Sequence, residues 1–190
     1  MTYNPEIHHR RSIRLKDYDY SQTGAYFVTV CAWKRECLFG EIKNGDTLLN
    51  EYGEIVIKCW DDLPNYYPDA QLDEFIVMPN HIHGVVSLSN VGAQFIAPFR
   101  KTTAGNNGIN PGVINHAPTI GKIVRAFKAR CTHAINQIRN TPGIPLWQRN
   151  YYEHTIRDEN ELNRILEYII NNPLQWAEDE NNPENIKTNT

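Results

Sequence analysis

The chain has 190 residues, 41% of them hydrophobic and 22% charged, values typical of a globular protein with one domain-sized core. The net charge of −3 by itself argues against a nucleic-acid-binding protein. Four cysteines without a CxxC pair, no signal-peptide pattern and no apolar run of membrane-spanning length predict a cytoplasmic protein with reduced thiols and no membrane segment.

The first half of the chain is predicted to contain strands, one hairpin and one helix. β-branched and aromatic residues indicate strands, and apolar residues at helical spacing indicate the helix. In chain order the predicted elements are a strand at 24–33, a hairpin turning at Asn44-Gly45, a helix at 50–63, and strands at 70–79 and 81–88.

The second half begins with a segment rich in Gly, Asn, Ala and Pro at 89–118, predicted as a mobile loop inserted within one domain. After it we predict a helix at 119–140 capped by Thr119, a short strand at 152–157, and a helix at 158–173 capped by Asp158. The order β, α, β, β, α, β, α predicts an α+β fold with helices packed on an antiparallel sheet.

The charges are unevenly distributed along the chain. No Asp or Glu occurs from Phe75 to Tyr152, although this stretch holds eight Lys and Arg residues. A second basic cluster precedes residue 17, and the acids gather near the C-terminus. A chain polarised in this way can present a basic face to phosphates while its net charge is negative.

The stretch VMPNHIHGVVSL places two histidines, His81 and His83, within an apolar run. Side chains alternate across a strand, so both imidazoles should project from one face and Ile82 from the other, into the core. This geometry can offer two nitrogens to one metal ion. A pair of histidines held by hydrogen bonds at a strand end is the alternative interpretation of this motif.

The last predicted helix carries Tyr168 and Asn172, which are one turn apart and share a face away from the apolar stripe. Two histidines and one amide oxygen would suit Mg²⁺ or Mn²⁺, and a nearby tyrosine hydroxyl could attack a phosphodiester. The alternatives are an exposed amphipathic tyrosine and an asparagine that ends the helix before proline.

Taken together, these residues resemble a known family. The segments MPNHIHGVV, LWQRNYYEHTIR and EYIINNP are similar to three signatures of the REP-associated tyrosine transposases, which belong to the HUH single-strand DNA transposases (U is a hydrophobic residue). The segment RRSIRLKDYDYSQTGAYFVTVCAWKRECLFG resembles the N-terminal half of that family. The resemblance covers roughly residues 8–175.

The resemblance implies a fold and a chemistry. It implies a ferredoxin-like sheet with the HUH strand central, His81 and His83 as metal ligands, Asn172 as the third ligand and Tyr168 as the nucleophile. It also implies a divalent cation, Mg²⁺ or Mn²⁺, and cleavage of single-stranded DNA that leaves a 5′-phosphotyrosine and a free 3′-hydroxyl. The phosphotyrosine would conserve the energy of the broken bond, so strand transfer would need no ATP.

The expected substrate is single-stranded DNA at the foot of a hairpin. Arg14, Lys122, Arg125 and Arg149 are the candidate phosphate contacts. We expect one domain over 1–176 with the loop at 89–118, and a disordered acidic tail at 177–190. A homodimer is left open, as is whether the tyrosine acts in its own chain or in a partner.

Two other classes of function are left open. The first is a catalytically silent, sequence-specific DNA-binding protein on the same fold, which would need the basic face but neither the tyrosine nor the histidine pair. The second is a metal enzyme acting on small molecules, which would leave the acid-free stretch unexplained. Formation of a covalent protein–DNA adduct distinguishes the leading hypothesis from both.

Overall fold

A computed structural model describes residues 24–89 and 119–186. Arg14, the loop predicted at 89–118 except for its first residue, and the last four residues of the predicted tail lie outside the described residues. The strands are β1 (Gly24–Cys31), β2 (Gly40–Lys43), β3 (Asp46–Leu49), β4 (Ala70–Met78), β5 (His81–Leu88) and β6 (Tyr152–Ile156). The α-helices are α1 (Glu51–Asp61), α2 (Leu63–Tyr66), α3 (Ile120–Arg139), α4 (Glu159–Asn171) and α5 (Pro183–Ile186), and 3₁₀ segments occupy Trp33–Arg35 and Asn172–Glu178.

Four strands form an antiparallel sheet in the order β4-β5-β1-β6. The chain order β1, α1, β4, β5, α3, β6 in that arrangement is the ferredoxin-like pattern. The strand that carries the two histidines, β5, lies between β4 and β1, so the prediction of a central HUH strand is confirmed. β2 and β3 form a separate hairpin, whose two turn residues, Asn44 and Gly45, have φ values of 56° and 84° as a tight hairpin turn requires.

The two faces of the sheet bury different clusters. On one face, α1 and α3 pack over the larger core, to which Ile82 belongs with 0% exposure. On the other face, Ile169 of α4 packs with Phe27 and Val85. Alternation along β5 therefore directs Ile82 toward α1 and α3 and the two histidines toward α4, as the sequence predicts.

Gly84 is required by the packing beneath β5. A Cβ atom at this position would lie 2.6 Å from two ring atoms of Trp60 and 3.0 Å from Phe75. These two rings are stacked with centroids 4.3 Å apart, which leaves them little freedom to move. We expect Gly84→Ala to lower the free energy of unfolding by about 1–3 kcal/mol, the usual effect of overpacking a core.

Urea denaturation followed by circular dichroism measures this effect. Gly24→Ala is the matched control, since a Cβ there would meet Tyr26 at an ordinary 3.5 Å. Equal stability of Gly84→Ala and Gly24→Ala would contradict the packing described for β5.

The expected disordered tail is wrong for residues 177–186. These residues end a 3₁₀ segment and form α5, and Asp179, Asn181 and Asn182 are buried. Side-chain amides order this segment: Asn182 Nδ2 donates to the carbonyl of Trp176, and Asn185 Nδ2 donates to that of Asp179. Local composition suggested disorder because asparagine side chains bond equally well to water. No helix within 24–89 or 119–186 combines the length and apolarity needed to cross a membrane.

Candidate metal and tyrosine site

His81 and His83 converge beneath α4. The pairing of β1 with β5 places Thr29 opposite His83 and Cys31 opposite His81. The two imidazoles belong to residues that are 0% and 2% exposed, and their Nε2 atoms are 3.0 Å apart. Two ring nitrogens are therefore presented to one point inside the protein.

Asn80 fixes the tautomer of His81. Its amide nitrogen donates to the backbone carbonyls of Arg35 and Asn181, at 2.9 and 2.8 Å. Its Oδ1 therefore faces Nδ1 of His81, at 2.9 Å, as an acceptor. Nδ1 of His81 must donate the proton of this hydrogen bond, which leaves the lone pair on Nε2.

The partner of His83 is the Thr29 hydroxyl, whose Oγ1 is 2.8 Å from Nδ1. A hydroxyl both donates and accepts, so Thr29 is compatible with either tautomer of His83. Burial lowers the pKa of His81 to about 3, helped by the charge of Arg35. Burial also lowers the pKa of His83 to about 3, helped by His81. Both rings are therefore neutral near pH 7, the form that binds metal ions.

α4 is held in place at its first turn and along its buried stripe. Asp158 caps it by accepting a hydrogen bond from the Glu161 amide at 2.8 Å. The Glu161 carboxylate is also 2.8 Å from Nε2 of His154 on β6. His154, for which the sequence offered no functional role, thus links β6 to the helix that carries Tyr168.

Tyr168 lies at the edge of the site, between the protein interior and solvent. Its hydroxyl is 3.3 Å from Nε2 of His83. Its ring meets Phe27 and His83 edge-on, with centroids 6.1 and 5.2 Å away. The residue is 40% exposed, so a ligand can approach the hydroxyl from outside.

The Tyr168 hydroxyl is not acidified by the protein alone. Burial raises its pKa, and the negative charges of Asp179 and Glu180 add to the rise. The Asn172 side chain opposes these effects by hydrogen bonding. A reaction through Tyr168 near pH 7 therefore needs another source of positive charge or a proton acceptor beside the hydroxyl.

Asn172 is the C-cap of α4 and is 1% exposed. Its Oδ1 atom is buried and has no hydrogen-bond partner within the described parts of the chain. An acceptor in this state costs about 1–3 kcal/mol unless water or a cation supplies the missing partner. The structure therefore places an unsatisfied amide oxygen one turn after the tyrosine.

Asp179 is a member of the site that the sequence did not reveal. Its Oδ2 atom is 3.9 Å from Nε2 of His81, and His81, His83 and Asp179 offer ligand atoms that all lie within 4.8 Å of one another. The residue is 9% exposed. In the sequence it stands within an acidic run that is typical of a solvated tail.

The donor atoms fit a divalent cation. Two ligands at about 2.1 Å from one ion and at right angles to each other are about 3 Å apart, which matches the spacing of the two Nε2 atoms. The unsatisfied oxygen of Asn172 and the carboxylate of Asp179 are hard ligands that Mg²⁺ and Mn²⁺ accept. His81, His83 and Asp179 are thus the described residues whose ligand atoms lie close enough together to hold one ion.

A cavity of about 390 Å³ opens at this site. Its lining includes Thr29, Arg35, His83 and Tyr168, together with Gln148, Asn150, Tyr151, Glu180 and Asn181. Tyr152 also lines it and is 54% exposed. Trp147, by contrast, is 5% exposed and packs against other aromatic rings, so it is a core residue.

The basic residues predicted to contact phosphates are not gathered at this cavity. Lys122 and Arg125 are exposed on α3, which packs on the opposite face of the sheet. Arg149 is exposed and adjoins the cavity through its neighbours Gln148 and Asn150. None of the three forms an ion pair with a described carboxylate.

The other basic side chains of the acid-free stretch that are described have internal partners. Lys128 donates to the carbonyls of Gln148 and Arg149. Arg130 binds Asp62 at 2.8 Å, and Arg139 donates to the Asn136 side chain. Among the described basic residues of this stretch, the ones whose side chains have no described hydrogen-bond or ion-pair partner are thus Lys122, Arg125 and Arg149, which the sequence selected as phosphate contacts.

Comparison with known proteins identifies a relative by sequence and a solved structure with a similar fold. No family model matches it. An uncharacterized protein of Haemophilus influenzae is 44% identical over 181 residues, which cover 94% of this chain and 96% of that protein. A solved structure of the REP-associated tyrosine transposase bound to a REP hairpin superposes with a TM-score of 0.53 and 19% identity, over 87% of this chain and 74% of that chain. The chain therefore belongs to one family with the Haemophilus influenzae protein, and it has the fold of the REP-associated tyrosine transposase.

Proposed function

We propose that the protein is a metal-dependent endonuclease and strand transferase for single-stranded DNA, a transposase that forms a 5′-phosphotyrosine intermediate. The observation that carries the proposal is the Tyr168 hydroxyl, 3.3 Å from Nε2 of His83, beside a cluster of His81, His83 and Asp179. A nucleophile, a set of cation ligands and an open cavity meet at one place. The shared fold of a tyrosine transposase supports the same conclusion.

The proposed reaction is a reversible exchange of phosphodiester bonds. The Tyr168 oxygen attacks the scissile phosphorus and loses its proton, forming a bond between tyrosine and the 5′-phosphate. The bond from phosphorus to the 3′-oxygen breaks, and that oxygen takes up a proton to become a free 3′-hydroxyl. Attack by a 3′-hydroxyl on the phosphotyrosine reverses the step and joins strands without ATP.

A divalent ion, Mg²⁺ or Mn²⁺, held by His81, His83 and Asn172, would supply positive charge next to the scissile phosphate and the tyrosine oxygen. Asp179 is a further candidate ligand. Asn80 and Thr29 orient the two imidazoles through their Nδ1 atoms, and Asn80 leaves the lone pair of His81 on Nε2, facing the site.

The proposed substrate is single-stranded DNA next to a hairpin, because the related transposase was solved with a REP hairpin. Arg149, next to the cavity, is the phosphate contact that we place nearest the site. Lys122 and Arg125 would serve more distant parts of the DNA, and Arg14 remains a candidate phosphate contact. Exposed Tyr152 offers a ring on which an unpaired base can stack. A DNA substrate would place the protein in the cytoplasm.

We propose that one chain contains a complete site. Tyr168 reaches His83 of its own chain, so the reaction does not require a tyrosine from a partner. A homodimer is compatible with this arrangement, but it would contribute to DNA binding rather than to the nucleophile.

The experiment that tests the function uses a labelled pool of single-stranded hairpin DNA, incubated with the full chain and Mn²⁺. We expect a protein–DNA band that survives denaturation and disappears with a chelator. Retarded DNA without a covalent band would favour the silent DNA-binding protein. Binding of Mn²⁺ without any DNA affinity would favour the small-molecule enzyme.

We predict that Asn172→Ala weakens Mn²⁺ binding at least about tenfold, the smallest loss expected when an outer hydrogen-bond partner of a metal ligand is removed. Asn172→Asp should retain the ion, because a carboxylate is also a hard oxygen ligand. Calorimetric titration of the wild type and both variants measures this. Asn171→Ala, at the preceding residue, is the control. Equal affinity of wild type and Asn172→Ala would show that Asn172 only ends α4 and would leave Asp179 as the oxygen ligand.

A further inference from the structure

We propose that Arg35 binds the scissile phosphate, as a cationic clamp in the cavity that Tyr168 also lines. This assignment rests on the proposed function and adds a substrate-contacting residue to it. Arg35 follows β1 in the chain and lines the same cavity as His83 and Tyr168. No sequence signature pointed to this residue.

The backbone around Arg35 is held in an unusual conformation. Lys34 and Arg35 have φ values of 54° and 57°, in the left-handed region that residues other than glycine seldom occupy. Asn80, which orients His81, also donates to the Arg35 carbonyl at 2.9 Å. One buried amide thus fixes a histidine of the cation site and the backbone of the arginine, and such strained positions concentrate at functional sites.

The guanidinium of Arg35 is available to bind an anion. Its Nη1 donates to the backbone carbonyl of Glu180 at 2.7 Å, and among the described residues no carboxylate forms an ion pair with it. A half-buried arginine in a cavity normally has an anionic partner. Its planar fork can bind two oxygens of one phosphate at once, which suits it to this ligand.

The position of Arg35 also suits the charge that the reaction would develop. Arg35 adjoins the histidine pair, because Asn80 hydrogen-bonds both to the Arg35 carbonyl and to Nδ1 of His81. The attacked phosphorus gains negative charge on its non-bridging oxygens, and a fixed cation beside them stabilises that state. Arg35 would therefore complement the divalent ion by binding the phosphate from another direction.

Four proteins test the assignment: wild type, Arg35→Gln, Arg35→Lys and Lys34→Gln. Lys34 is the matched control, since it is basic, left-handed and adjacent, but exposed and absent from the cavity lining. The probe is dT30, titrated in Mn²⁺ at several salt concentrations. We expect Arg35→Gln to weaken binding on the order of tenfold and to reduce the slope of log K against log[salt] by about 0.7.

The other two variants should separate charge from geometry. Arg35→Lys should restore the salt slope, because the charge is kept, but only part of the affinity, because the fork is lost. Lys34→Gln should leave both the slope and the affinity close to wild type.

Calorimetric titration with Mn²⁺ in the absence of DNA gives a second readout, for which we expect a change in affinity opposite to the change in DNA affinity. Removing a positive charge near His81 should strengthen Mn²⁺ binding a few-fold in Arg35→Gln, while DNA binding weakens. If Arg35 only holds the segment at 180–181, both affinities should fall together and the salt slope should stay unchanged.

The outcomes also separate this assignment from the proposed function. A wild-type protein that forms covalent adducts, with Arg35→Gln matching it in slope and affinity for dT30, would overturn the assignment alone. Absence of adducts combined with the expected change in slope would support a phosphate-binding Arg35 in a catalytically silent protein. Failure of the wild type to bind either dT30 or the labelled hairpin DNA would overturn both.

Discussion

Tyr168→Phe should reduce formation of the covalent protein–DNA adduct by more than about a thousandfold, since removal of a nucleophile leaves only the contributions of the remaining site. DNA binding should be almost unchanged. The substitution removes only the hydroxyl, which is 3.3 Å from His83, whereas the ring keeps its edge contacts with Phe27 and His83. Denaturing gels with labelled hairpin DNA and Mn²⁺ measure the adduct, and mobility shifts measure binding.

Tyr152→Phe is the control for this experiment. Tyr152 lines the same cavity and is also an exposed tyrosine, so its hydroxyl is an alternative nucleophile. We expect its phenylalanine variant to form adducts at close to the wild-type rate. An adduct that persists in Tyr168→Phe and vanishes in Tyr152→Phe would transfer the nucleophile to β6.

The double variant His81→Ala/His83→Ala should lose measurable Mn²⁺ binding and adduct formation. Two of the four candidate ligand atoms disappear, and the remaining oxygens are poor at holding the ion alone. Thr29→Val should give an intermediate result, about 10- to 100-fold weaker Mn²⁺ binding, because it removes only the hydrogen bond that orients His83. Calorimetric titration of the three proteins measures the series.

Stability is the control for the histidine variants. Asn80 and Thr29 would each lose a partner, so the melting temperature should fall, by roughly 2–4 °C for every kcal/mol lost, while the fold persists. Melting curves in chelator follow this. An unfolded double variant would mean that the two buried imidazoles serve the core, and unaltered Mn²⁺ affinity would move the cation site elsewhere.

The fold was predictable because its signals are local. β-branched and aromatic residues marked the strands, and the alternation of side chains along a strand assigned the faces of β5. Caps and apolar stripes marked the long helices, and Asn44-Gly45 marked the hairpin. The central place of β5 followed from the resemblance to a known family. The same alternation separated Ile82 from the histidines, which face opposite sides of the sheet.

The parts of the site that the sequence did not reveal depend on contacts between distant segments. Asp179 meets His81 from about a hundred residues away, and nothing near it in the chain marks it as buried. Arg35 is similar, because its place in the cavity depends on an asparagine of another segment. Local composition indicates how a segment interacts with water. The positions of Asp179 and Arg35 depend instead on contacts with protein groups that are distant in the sequence.

The partial exposure of Tyr168 has a consequence for how this family can diverge. In the proposed reaction its hydroxyl is the nucleophile, but it contributes little to the packing of α4, which rests on Ile169 and the other apolar residues of its stripe. A single nucleotide change can exchange tyrosine for phenylalanine, and selection for stability would scarcely oppose it. If the proposed function holds, a relative that keeps DNA binding and loses strand cleavage is therefore within one mutation of this sequence.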